Sequence, residues 1–250
     1  MAAPLVAVAH GSRDPRSAAT VAALMDVVRG RAPGLDVRTA FLDLSAPRLP
    51  DVLSALHGEG HREVVVVPLL LGKAFHARVD LPSVVAETTA RLPRLSVSVA
   101  DVLGPDPQLG AAALRRLRAA GVLPGDPSVG VVLAAAGSSH RPANVAVSTV
   151  AGSWARLGFA GVEAAFASSA TPDVPAAVAA LRARGARRIA VASWFLAPGR
   201  LPDRVAALAR AADPAAPIAA PLGADPEVAD VVLDRYAAAA VAEPAALYYA

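Results

Sequence analysis

Two kinds of hydrophobic pattern alternate along this 250-residue chain. Uninterrupted runs of small and β-branched residues, bounded by turn residues, read as strands buried on both faces. Such runs occupy Leu5 to Ala9, Leu35 to Leu42, Glu63 to Leu71 with its four consecutive valines, and Ser96 to Val102. Between them, apolar residues recur at the spacing of one helix face. Examples are Val21, Leu24, Met25 and Val28, then Leu49, Val52, Leu53 and Leu56, and later Leu109, Ala113, Leu114 and Leu117. Asp14-Pro15 supplies an N-cap and a proline at the first helical position, while Gly58 and Gly60 stop the second helix. Strands alternating with helices through short loops predict an α/β protein with parallel sheets covered on both faces.

The pattern then repeats. Val131-Val132-Leu133-Ala134-Ala135-Ala136-Gly137-Ser138 answers Leu5 to Ser12, and Phe166 to Leu181 answers Phe41 to Leu56, each with two prolines. Arg188 to Leu196 answers Glu63 to Leu71, and Leu222-Gly223-Ala224-Asp225-Pro226 answers Leu103-Gly104-Pro105-Asp106-Pro107. Four matches in one order describe an internal duplication, with a period of roughly 125 residues that is too long for a solenoid unit. The expected domains are residues 1–122 and 128–240, joined by a Gly/Pro-rich linker. Two similar α/β halves would pack with a cleft between them, a usual ligand position.

Composition narrows the function classes. There is no cysteine, which excludes disulfides, thiolate metal sites and cysteine nucleophiles. Hydrophobic residues make up 55% of the chain, mostly alanine and valine, yet no stretch approaches the ~18 apolar residues of a membrane span. The amino-terminal pattern does not match a signal peptide, so a cytoplasmic protein is expected. A net charge of +3 and an aromatic content of 4% give no reason to expect a nucleic-acid partner. One chain that carries both halves suits a monomer.

The duplication also separates residues the fold needs from residues it can lack. Gly11-Ser12 returns as Gly137-Ser138 and is expected to build the turn after the first strand. His10 becomes Ala136, Asp43 becomes Ser168, and Asp101 becomes Ala220. His76 has no counterpart, because the loop Ala197 to Pro202 is shorter than Gly72 to Pro82. Two histidines and an acid at the carboxyl edge of a parallel sheet suit a metal ion held with open positions. Imidazole serves iron, cobalt, nickel and zinc alike, and it can also accept a proton. His57 and His61 stand at i, i+4, but the glycines between them should end the helix. His140 is expected to be a cap or surface residue. A histidine phosphatase would need an arginine where Ala9 stands.

Ala9-His10-Gly11-Ser12-Arg13, together with Val67-Pro68-Leu69-Leu70-Leu71-Gly72 leading to His76 and Asp80-Leu81-Pro82, resembles the sirohydrochlorin chelatases of the class II chelatase group. The resemblance spans essentially the whole chain, with a degenerate second half. It implies insertion of divalent iron or cobalt into sirohydrochlorin, on the way to sirohaem or cobalamin, with no organic cofactor. His10 and His76 match the family's two active-site histidines. Asp43 stands one methylene short of the glutamate usual after the second strand. Ser12, Arg13, Lys73, Arg78 and Asp43 are then expected to face the substrate, whose carboxylates suit cationic side chains. A non-catalytic metal or tetrapyrrole carrier is the alternative. Both halves should share a strand order, with metal bound only at the first.

Overall fold

The first apolar run forms β1, Leu5–Ala9, buried along its whole length. It lies inside a four-stranded parallel sheet ordered β2-β1-β3-β4, where β2 is Val37–Phe41, β3 is Glu63–Pro68 and β4 is Ser96–Val99. In this computed structural model, which describes residues 2–73 and 79–241, Ala9 sits beside Phe41 and Val8 beside Pro68. The strands are shorter than their apolar runs. Leu69, Val102 and Leu103 remain buried beyond the strand ends, so the run marks the core and not the ladder.

The helices follow the expected spacing. α1, Pro15–Arg31, starts where the Asp14 side chain accepts the Arg16 N–H, and it buries Val21, Leu24, Met25 and Val28. α2, Leu49–Gly58, and α3, Leu81–Thr89, cover one face of the sheet. There Leu49, Leu53, Leu56 and Leu81 pack on Val6, Val8, Val64 and Val66. α4, Pro107–Ala119, is capped by Asp106.

The second repeat builds a smaller parallel sheet ordered β6-β5-β7, from β5 Val129–Ala135, β6 Gly161–Phe166 and β7 Arg188–Ser193. The order matches that of the first sheet over three strands. The fourth place is reduced to a single bridge between Val191 and Ile218. Pro214 and Pro217, which lack N–H groups, interrupt that run. Its helices are α5 Arg141–Ser153, α6 Val174–Ala183, α7 Arg200–Ala212 and α8 Pro226–Val241.

Two compact units cut across the two repeats. One unit runs to Gly104 and resumes at Ala224, and the other is Pro105–Gly223. α4 therefore leaves its own repeat and packs against β7, while α8 packs against α1, β3 and β4. Each incoming helix is fastened in the same way. Arg116 of α4 donates to the carbonyl of Leu222 at 2.8 and 3.2 Å, and Arg235 of α8 donates to those of Val102 and Leu103 at 2.9 and 3.0 Å. An ion pair between Arg31 and Asp230 further ties α8 to α1. The apolar faces are those of ordinary α/β layers, but the chain crosses before its last helix instead of after it.

Candidate functional site at the carboxyl edge of the first sheet

His10 follows β1 directly and is half-buried. Gly11, at φ +95°, turns the chain so closely that a Cβ there would fall on the carbonyl oxygen of Asp43. Gly137 makes the same turn at φ +84° against Ser168. Both glycines are therefore needed for the fold, as the repeat comparison expects. The main-chain N–H of Asp43 donates to the carbonyl of His10 at 2.8 Å, which sets the ends of β1 and β2 together.

Ser12 is fixed by Ser45, whose hydroxyl accepts the Ser12 N–H at 3.1 Å and donates to its carbonyl at 3.0 Å. Ser12 Oγ in turn accepts the Asp14 N–H at 3.0 Å. Asn144 performs the first task in the second repeat, gripping Ser138 at 2.9 and 2.7 Å. Ser12 thus serves the turn, its hydroxyl accepting one main-chain bond there. Arg13, next along, is exposed and pairs with no acid among the described residues.

Two ion pairs follow the strands of this sheet at its carboxyl edge. On the β2 side, Arg48 Nη1 lies 2.8 Å from Asp43 Oδ1, with both side chains about half exposed. The Leu44 N–H and then the Arg48 guanidinium hold the Asp43 carboxyl below its ordinary range, with a smaller contribution from His10. On the far side, after β3 and β4, Lys73 Nζ lies 2.7 Å from Asp101 Oδ2. The sequence alone pairs neither Lys73 nor Asp43 with these partners and does not single out Arg48. The signal available was its replacement by Asp173 in the second repeat. His76 and Arg78, the remaining expected site residues, lie outside the described residues.

The equivalent edge of the second sheet offers Ala136, Ser168 and Ala220. Ser168 Oγ donates to the Ala136 carbonyl at 3.1 Å. His140 stands at the N-cap of α5 without a side-chain cap bond. His57 lies in the last turn of α2, which ends at Gly58, and His61 follows beyond it, so the two do not share a helix. His61 instead lies 3.9 Å from Asp36. Asp36, Glu59 and His61 are the one grouping of three ligand-type side chains among the described residues. Arg38 already occupies it, donating to Asp36 at 2.6 and 3.0 Å and to Glu59 at 2.8 Å. A groove of about 530 Å³ between α4 and α5, floored by Trp154, is apolar and receives no strand-end residue. No helix among the described residues is long and apolar enough to cross a membrane.

Two parallel-sheet α/β halves, with His10 and Asp43 joined through their main chains at the carboxyl edge of the first sheet, define a protein with the class II chelatase fold. SirB from Bacillus subtilis with Fe3+ superposes with a TM-score of 0.80 at 22% identity, over 96% of each chain. The CbiX family model matches residues 4–120 and again 130–239, so the chain belongs to the CbiX family. The sirohydrochlorin ferrochelatase of Bacillus subtilis is 29% identical over 115 residues, covering 46% of this chain and 44% of that protein. The sirohydrochlorin cobaltochelatase of Priestia megaterium is 22% identical over 201 residues, covering 79% of this chain and 65% of that protein. The matches therefore span between about half and two thirds of these relatives' length.

Proposed function

We propose that the protein is a sirohydrochlorin chelatase, inserting divalent iron or cobalt into the macrocycle. The observation that carries the reading is the asymmetry of the repeats: the ligand-type side chains stand at the first sheet's carboxyl edge, and the second copy has alanine or serine at their positions. Family membership and the names of the relatives supply the substrate. His10 and His76 present the ion to the macrocycle, His76 being assigned on sequence grounds. As the metal–nitrogen bonds form, the two pyrrole N–H protons leave, and imidazole is the base suited to take them near neutral pH. Arg13, Lys73 and Arg78 receive the carboxylates of the macrocycle. The reading carries with it a monomer in the cytoplasm, which sedimentation and cell fractionation would check.

Turnover is the test. Purified protein mixed with excess sirohydrochlorin and each of iron, cobalt, nickel and zinc should give many equivalents of metallated product with iron or cobalt. A spectral change that stops at one equivalent would identify a carrier instead.

A further inference from the structure

The two repeats differ at one helix start in a way the fold does not require. α6 begins at Asp173, whose side chain accepts the Ala176 N–H at 2.9 Å. At the matching start of α2 stands Arg48, whose side chain makes no cap bond. An arginine there forgoes the cap and sets a cation against the positive end of the helix. The backbone around it is nonetheless kept. Phe41 N–H donates to the Pro47 carbonyl at 2.9 Å, and Phe166 N–H to the Pro172 carbonyl at 3.0 Å. A bridge to Phe41 holds Arg48 at the end of β2. Only the side chain has changed, and a second change accompanies it, since its partner Asp43 corresponds to Ser168.

The geometry of the pair suggests its use. Asp43 engages Arg48 through Nη1 alone, at 2.8 Å, so the guanidinium fork is open to a carboxylate that can grip it with two oxygens. A pair this exposed is weak, and its partners exchange at little cost. Asp43 is also bonded through its main chain to His10, so its carboxylate cannot travel far when released.

Building on the chelatase reading, we propose that Arg48 is a specificity-determining residue: it takes a carboxylate of the incoming tetrapyrrole in place of Asp43, which frees Asp43 for the divalent ion beside His10. Substrate binding and the readiness of the metal site are then coupled through one exchange of ion-pair partners. No covalent bond changes in the step. Lys73 and Asp101 form a similar pair on the other flank, but an ammonium is a point charge and does not read a carboxylate's shape.

The test uses metal-free sirohydrochlorin as the binding probe and cobalt for turnover, in the full chain. Arg48→Asn should raise Kd and KM by about tenfold or more, the cost of one lost charge-assisted contact, while kcat changes far less. Because asparagine can cap α2, Tm should rise by about 2–4 °C. Asp43→Asn should do the opposite, tightening sirohydrochlorin by about twofold to fivefold as the internal competitor disappears, and lowering kcat. Arg48→Lys should fall between wild type and Arg48→Asn, and it serves if the asparagine variant folds badly. Unchanged Kd in both Arg48 variants, or weaker binding in Asp43→Asn, overturns the proposal. So does an Arg48→Asn variant that loses Tm and kcat together at constant KM, which marks a structural role only. If the wild type neither binds nor metallates sirohydrochlorin, the chelatase reading itself fails, a result distinct from all of these.

Discussion

The main-chain N–H of Asp43 bonds to the carbonyl of His10 at 2.8 Å, and Ser168 repeats that bond to Ala136 at 2.9 Å. One backbone frame is therefore built twice, with aspartate and histidine at the two ends of that bond in one copy and serine and alanine in the other. Each repeat is the other's control, which makes several outcomes easy to separate.

Replacing His10 by alanine recreates what the second repeat already has at Ala136. Turnover should fall by about a hundredfold or more, the usual contribution of a positioned acid–base group, with Tm unchanged within error. His76→Ala should behave alike. Near-wild-type turnover in either variant removes that histidine from the site.

Gly11→Ala and Gly137→Ala put the same Cβ into the same kind of turn, at φ +95° and +84°. Each should cost about 2–3 kcal/mol or more, read as a Tm lower by roughly 5–10 °C. Only the first should also reduce turnover per folded molecule, since it displaces Asp43. Equal activities in the two variants would mean that the turn after β1 does not position the site.

Asp36 lies at the opposite end of β2, where Arg38 holds its carboxyl below the ordinary range against an opposing push from burial. A carboxyl depressed in the folded state adds stability above its unfolded value, near pH 3.9, and loses it as pH falls through the folded value. Asp36→Asn should therefore be less stable than wild type at pH 7, by about 0.5–1 kcal/mol for so exposed a pair, and equal to it near pH 2. Denaturant melts at the two pH values would show it. Turnover should not change, because Arg38 and not a metal fills that cluster.

Deleting the chain from Ala224 onward removes α8, with its buried Val228, Val231 and Val232 and the grip of Arg235 on Leu103. Hydrogen exchange should then lose protection across β1, β3 and β4 while Pro105–Gly223 keeps it. Protection lost evenly over both units would contradict the division of the chain.

The strands, helices and duplication were legible because buried parallel strands and amphipathic helices leave different periods in a sequence. His10 stood out because it ends the first apolar run and is missing from the copy. Three features were not legible. Periodicity shows which face of α4 is apolar but not which sheet covers it, so the exchange with α8 is silent in the pattern. The fourth strand of the second sheet fails at prolines 214 and 217, within a run that otherwise resembles Ser96 to Val102. Arg48 looks like one more surface arginine among many, and its contact with Asp43 is visible only in the structure.

The crossing of the chain at Gly104 and Gly223 also sets an order of manufacture. Pro105–Gly223 is one unbroken stretch, and a ribosome has delivered all of it before α8 exists. The strands that lead to His10 and Asp43 are translated first, yet their sheet must wait for the last helix to cover β3 and β4. The half that bears His10 and Asp43 is thus begun first and completed last, because β3 and β4 lack the cover of α8 until that helix has been made.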